Sequence, residues 1–477
     1  MVKQKIIAQQ HGPNPFFRME YLSNSLMYEL HNSIIVPLDL QSLNTIQRIA
    51  FAIEKEINKD PDREIVEILK KVKSPCVTEL LQDLSKKPVV NLRHNLAFKA
   101  LVLVVRNWPK KNYHVHISDL IDGEFVMKQT GARPVLKYNY RTSRLHNNDD
   151  WIQNTDQFIA AYKYVLKQMQ EDNNLWAQSR INPYKKFNGK SHKSRLINMH
   201  PFLHKLQLTA QDFSEHQYNE TGLKPEYKFL ASLNRRKYAR ENPQHFLDII
   251  DQLVDIKQKH KGSQLDDYLY GIDICGGEIM DWEWQNNQRT EYGWKLFEAL
   301  NRAADSGLQI VTHLGDMKNY NEKYLQDFIT NPERIIISML DYFKSYIENL
   351  NCLTRIAHAT VLHDRFGVKD YIKERQKAIL KIIKDKGIIL ERCYYDDIRT
   401  LKDLQFKTPV YNWKKQSINF VLGIDGFIHD TKGHYDFKTA PDYDAISLSQ
   451  WLILLMLAAP KNEGWTVNYV RSKTSMK

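Results

Sequence analysis

From Lys110 onward the chain repeats one pattern eight times: a short apolar, strand-like run closed by polar residues and set among amphipathic helical stretches. The strand-like runs fall near 112–117, 174–180, 227–234, 269–275, 308–313, 354–358, 388–393 and 418–425. Helical spacing of apolar residues marks 156–169, 243–256, 294–304, 335–347, 368–384 and 445–457. Eight strands alternating with helices predict an α/β fold, a (β/α)8 TIM-type barrel with insertions. Such barrels keep their active sites at the C-terminal ends of the strands. The polar residues that close each run are therefore the first candidates for chemistry.

The first run ends in Tyr113-His114-Val115-His116. On a strand, residues i and i+2 share a face, so His114 and His116 can aim two imidazoles at one point. Neutral imidazole suits zinc and similar divalent ions. Alone, the pair fits two unrelated polar strand residues equally well. Later runs add Gly271-Ile272-Asp273-Ile274-Cys275-Gly276, Val311-Thr312-His313-Leu314-Gly315-Asp316, Arg355-Ile356-Ala357-His358 and Gly423-Ile424-Asp425-Gly426. His114, His116, His313 and Asp425 together offer three nitrogens and one carboxylate, a donor set that suits zinc with a position left for water.

This ordered set of five short motifs, spread from about Lys110 to the C-terminus, resembles the adenosine deaminase family of metal-dependent amidohydrolases. The resemblance implies one Zn2+, or another divalent metal, held by His114, His116, His313 and Asp425. It implies that His358 orients and polarises the attacking water, and that Asp316 donates a proton to the purine ring. It places the backbone N–H of Gly276 against the base, with a turn glycine as the plainer alternative. It sets Ser118 or Asp119 near the sugar and leaves Asp273 a supporting role. Divergent members with extra segments also resemble effectors of bacterial antiviral systems that alter the nucleotide pool. Two residues depart from the family pattern. Asp316 stands where the family has glutamate, a reach shorter by about 1.5 Å, and a misplacement of about 1 Å can cost about a hundredfold in rate. Gly426 stands where the family has a second aspartate that reads the purine; that contact is lost or comes from elsewhere, with Asp430 and Asp396 as candidates.

Lys and Arg exceed Asp and Glu by 12, which favours anionic partners. Lys185, Lys186, Lys190, Lys193 and Arg195 crowd the segment after the second run, with Tyr184 and Phe187 among them. Arg235 and Arg236 follow the third. Clusters of this kind match phosphate oxygens, so the expected substrate is a purine nucleotide such as AMP or dAMP rather than a bare nucleoside. A solvated basic loop is the alternative for this segment. The leading expectation is hydrolytic deamination of an adenine nucleoside or nucleotide to the inosine form, with release of ammonia. An amidohydrolase acting on another base or amide, or a non-catalytic member binding nucleotide or nucleic acid, stands as the alternative.

Residues 1–107 are expected to form a helical extension before a barrel at 108–477. Leu43, Ile46, Ile49, Ala50 and Ile53 follow helical spacing, with Ser42 or Asn44 as cap, and further helices are expected at 64–72, 77–84 and 91–105. Packing on the barrel or a homo-oligomer contact are its plain readings. Four cysteines, none in C-x-x-C spacing, argue against a disulfide scaffold and fit a reducing compartment. The absence of a signal-peptide pattern at 1–10 points to a cytoplasmic protein. The apolar run Trp451–Pro460 is too short to span a bilayer and reads as a buried helix.

Overall fold

The structure is a computed structural model that describes residues 40–84, 95–117, 129, 137–139, 144–146, 154–182, 199–235, 243–276, 278, 282–315, 332–363, 369–393, 408–424 and 448–474. Eight parallel strands form one sheet in chain order. They are β1 (Lys110–His116), β2 (Asn174–Ile181), β3 (Glu226–Asn234), β4 (Leu269–Cys275), β5 (Gln309–Leu314), β6 (Leu353–His358), β7 (Ile389–Cys393) and β8 (Phe420–Gly423). Each pairs with the next in parallel register. β8 returns to lie against β1. Gly423 makes that closure: a Cβ there would fall well inside van der Waals distance of the His114 side chain, so only glycine lets the eighth strand close on the first.

The helices that follow the strands are Thr155–Glu171, Met199–Thr221, Pro243–Lys259, Glu291–Asp305, Pro332–Asn349, Asp370–Asp385, Val410–Lys415 and Leu448–Leu457. Two of their starts carry side-chain caps. Asn154 accepts from Gln157 N at 2.9 Å, and Thr290 from Gly293 N at 3.1 Å, which satisfies otherwise orphaned first-turn donors. The helix Met199–Thr221 has no counterpart among the expected elements. Its buried side mixes Phe202, Leu203 and Leu206 with Gln207, Thr209, Ser214 and Gln217, so the apolar period that announces a helix is blurred. The short helix Val410–Lys415 has no expected counterpart either, and the other departures are small. Strand bounds move by one or two residues. Lys137–Asn139 pairs antiparallel with Arg144–His146, between the first strand and the helix Thr155–Glu171, where no strand is expected.

Strands buried on both faces should read as continuous apolar runs. Here the residues facing the barrel axis are polar: Asn112, His114, Gln178, Arg180, Ser232, Asp273, His313, Arg355 and Glu391 are all buried. Arg180 on β2 pairs with Glu391 on β7, and Arg355 on β6 with Gln178 on β2. These strands are not neighbours, so the side chains meet across the barrel interior. The apolar core lies outside, between strands and helices. It includes Ile272, Ile310, Ile356 and Leu390 from the strands and Phe246, Ile249, Leu296 and Leu300 from the helices.

The chain ahead of the barrel forms helices Leu40–Lys59, Ile65–Leu69, Pro75–Asp83 and Leu96–Arg106. The first begins ahead of Ser42 and Asn44, which therefore lie within it rather than capping it. Its Ile46, Ile49, Ile53 and Ile57 are buried at three- and four-residue spacing. Leu96–Arg106 is buried from Ala97 to its end and packs between the first helix and Leu448–Leu457. The Asn95 side chain caps its start, accepting from Ala97 N at 2.7 Å. Buried Lys110 closes its end, donating to the carbonyls of Val105, Arg106 and Trp108 at 3.2, 3.1 and 2.9 Å. These helices share the barrel's apolar core. Leu448–Leu457 is the expected buried helix, and no helix among the described residues is long and apolar enough to cross a membrane.

Candidate metal centre

His114 and His116 leave β1 on one face, His313 is the penultimate residue of β5, and His358 ends β6. The four rings gather at the C-terminal mouth of the barrel. Ring centroids lie 5.0 Å apart for His114–His116 and His114–His313, 5.5 Å for His116–His313 and 4.7 Å for His313–His358. His114, His116 and His313 each offer a nitrogen within 4.8 Å of the others. The Nε2 atoms of His116 and His313 are 3.4 Å apart. Two nitrogens each about 2.05 Å from a tetrahedral ion stand about 3.3 Å apart, so this pair already has the spacing of two ligands on one zinc. The donor set fits a divalent metal.

The barrel interior orients the rings. His313 Nδ1 donates to Asp273 Oδ1 at 2.9 Å, and His114 Nδ1 to Glu391 Oε2 at 3.1 Å. A carboxylate that takes the Nδ1 proton fixes the tautomer and leaves Nε2 with its lone pair for a metal. Burial pushes the His313 imidazole down to about 4, against the pull of Asp273, so the ring is neutral near pH 7, the form a ligand needs.

The two carboxylates are tied together by one guanidinium. Arg180 Nη1 is 3.3 Å from Asp273 Oδ1, and its Nη2 donates to Glu391. Arg355 Nη1 adds a contact to Glu391 Oε1 at 3.0 Å, and Ser232 Oγ donates to Asp273 Oδ2 at 3.1 Å. Burial alone would raise Asp273 and Glu391, but the guanidiniums of Arg180 and, for Glu391, Arg355 more than reverse it, and both carboxyls lie below the usual carboxylate range. Two cations and two anions thus balance beneath the histidines. Arg180 Nη1 also reaches His114 Nε2 at 3.2 Å. For His114 to act as a ligand, its Nε2 exchanges that hydrogen bond for coordination.

His358 is buried beside this cluster, its ring 5.2 Å from that of His114. It and Ala359 adopt left-handed backbone, with φ of 69° and 49°. Such conformations cost non-glycine residues energy and concentrate at functional sites. Arg392 Nη1 holds the His358 carbonyl at 3.0 Å. Gly276 follows β4 with φ of 86°, and a Cβ there would meet the Asn234 side chain. The positive φ alone favours glycine at this position, whatever binds above it. Arg235 is not at the surface. It is fully buried, its nitrogens directed at the His313 carbonyl, Thr312 and Glu283. Asp425, Asp316, Ser118, Asp119 and Lys185 lie outside the described residues, as do Arg236, Gly426, Asp430, Asp396 and the other basic residues of 185–195.

The pattern reading missed Glu391 and Arg180. Their signal was present: Ile389–Cys393 and Asn174–Ile181 are runs expected to be buried on both faces, yet each carries full charges. A charge in such a strand needs a buried partner.

Fold and site together define a (β/α)8 barrel with a carboxylate-backed three-histidine cluster at the C-terminal ends of its strands. No protein-family model matches the sequence, and no curated protein matches it. Among solved structures the chain is similar to an N6-mAMP deaminase from Arabidopsis, at 16% identity and a TM-score of 0.45, covering 77% of this chain and 98% of that one. It is similar to Arabidopsis ADAL complexed with IMP, at 17% identity and a TM-score of 0.47, covering 76% and 89%. It is also similar to a cog1816 amidohydrolase from Burkholderia ambifaria with bound Zn, at 12% identity and a TM-score of 0.47, covering 77% and 86%.

Proposed function

We propose that the chain is a metal-dependent hydrolase that deaminates an adenine nucleoside or nucleotide. Water adds at C6 of the ring, the exocyclic nitrogen leaves as ammonia, and the inosine form remains. The observation that carries this reading is the 3.4 Å spacing of His116 and His313 Nε2 within a carboxylate-backed cluster. In this reading His114, His116, His313 and Asp425 hold the metal. When bound, the metal lowers the pKa of a water toward neutrality and so makes hydroxide available near pH 7. His358, held beside His313, accepts a proton from the attacking water and orients it. Asp316 supplies a proton to the ring nitrogen, making the ring a better electron sink. Gly276 offers its N–H to the base, and Ser118 or Asp119 meets the sugar.

The basic segment around Lys185 favours a phosphorylated substrate such as AMP or dAMP. With its nitrogens already engaged inside the barrel wall, Arg235 is left out of the phosphate site in this reading. Gly426 favours a second reading, an amidohydrolase acting on another base. One panel separates them: ammonia release, with zinc present, from adenosine, deoxyadenosine, AMP, dAMP, ATP, dATP and adenine. Release from the nucleotides alone is the expected result. Release from nucleosides alone keeps the chemistry and removes the phosphate argument. Silence across the panel, with zinc bound, overturns adenine as the substrate.

A further inference from the structure

Behind β5 runs a second buried charge system, separate from the one around Arg180. Arg235 Nη1 donates to the backbone carbonyl of His313 at 3.1 Å, and Nη2 to Thr312 Oγ1 at 2.7 Å. Its Nε faces Glu283 Oε2 at 3.7 Å. The Glu283 carboxylate also accepts from Arg289 Nη1 at 3.2 Å and from the Tyr346 hydroxyl. Arg289 Nη2 continues to Ser345 Oγ at 3.2 Å, and its guanidinium lies 3.8 Å over the Phe297 ring. Arg235 lies 5.3 Å over the ring of Tyr346. The result is an Arg–Glu–Arg ladder walled by aromatic rings, its charged side chains shielded from solvent.

Stability alone does not account for such a ladder. Apolar side chains of similar volume often stabilise a core as well as buried ion pairs do, because the charges must first lose their water. What this ladder supplies is direction. The β4–β5 pairing stops at Ile274–Thr312, one residue short of His313. On the other side β6 still pairs with His313 and Leu314; beyond the β4 pairing the His313 carbonyl accepts from Arg235, which reaches it from the end of β3, two strands away. Asp273 fixes the ring of His313, and Arg235 fixes its peptide.

We propose that Arg235, anchored by Glu283, is a positioning residue that sets where His313 presents its nitrogen to the metal. The inference rests on the metal-centre reading. It is tested on the full chain with zinc as the probe, by competition against a chromophoric chelator, alongside the melting temperature of the metal-free protein. Arg235→Lys keeps the charge and loses the fork. Thr312→Val is nearly isosteric and removes one acceptor, so it remains informative if Arg235→Lys fails to fold. The expected result is zinc affinity weakened about tenfold to a hundredfold in both, with Thr312→Ser close to the parent. Zinc affinity within about twofold of the parent in the folded variants, with only the melting temperature lowered, overturns the proposal. His116→Ala reports on the centre itself: if it leaves zinc affinity unchanged, the metal-centre reading fails and the inference falls with it.

Discussion

Replacing Glu391 by Gln tests whether the barrel interior is a balanced charge cluster. The Glu391 carboxylate meets donors only: Arg180 Nη2, Arg355 Nη1 at 3.0 Å and His114 Nδ1 at 3.1 Å. An amide keeps one acceptor oxygen and turns an NH2 group toward a guanidinium. It also leaves two buried arginines facing Asp273 alone. Removing one member of a buried charge set costs about 3–5 kcal/mol. For cooperative unfolding of 477 residues, an entropy of about 2.1 cal/mol/K per residue amounts to about 1 kcal/mol/K. The melting temperature of the metal-free protein should therefore fall by about 3–5 °C, read by scanning calorimetry. The double variant Glu391→Gln, Arg355→Met restores the balance of charge and should lose less than the sum of the two single changes, with a coupling of about 0.5–3 kcal/mol. A Glu391→Gln protein that melts with the parent, or a strictly additive double variant, refutes the cluster argument.

Three further outcomes are expected. His116→Ala should abolish zinc binding, measured by metal analysis after gel filtration, and lower ammonia release by about a thousandfold, the rate equivalent of several kcal/mol of metal stabilisation; parental zinc content in the variant would sink the ligand assignment. Leu101→Ala, in the buried helix ahead of the barrel, should cost about 2–5 kcal/mol, and an unchanged denaturation midpoint would mean that this helix is not part of the cooperative core. Burial pushes Glu54 up to about 7 against the influence of Arg471; the folded protein therefore binds this proton more tightly than the unfolded chain, and stability drops as pH rises from about 4.5 through about 7. The melting advantage of Glu54→Gln over the parent should accordingly grow between pH 5 and pH 8, and a constant difference would exclude this linkage.

The barrel was legible because its signal is repeated eight times and each repeat is local. Periodicity near 269–275 or 354–358 needs only neighbouring residues, and these runs sit within a residue of the strands observed. The histidines were legible for a related reason: i, i+2 spacing on β1 and the position at a strand end are both read along the chain. Arg180 and Glu391 were not, because their meaning lies in each other. They are 211 residues apart, and no window of sequence contains both. Arg235 shows the opposite failure. A basic residue after a strand reads as a surface ligand for phosphate, and only the three-dimensional path of β5 shows that a backbone carbonyl lies within its reach. The helix Met199–Thr221 was hidden by the polar residues on its own buried side.

These two charge systems explain how a barrel can keep imidazoles, rather than aliphatic side chains, in its mouth. Buried histidines hold their place only if something fixes each ring and its peptide, because an unconstrained ring loses coordination geometry with a shift of a fraction of an ångström. Carboxylates fix the rings of His114 and His313, and guanidiniums keep those carboxylates ionised. Arg235 and Arg392 hold the carbonyls of His313 and His358. The rings of His114 and His313 are thereby set by the barrel interior, and the peptides of His313 and His358 by arginines from a next-nearest and a neighbouring strand. The site's geometry thus depends on contacts made below and behind it, and substitutions there should change metal affinity before they change the fold.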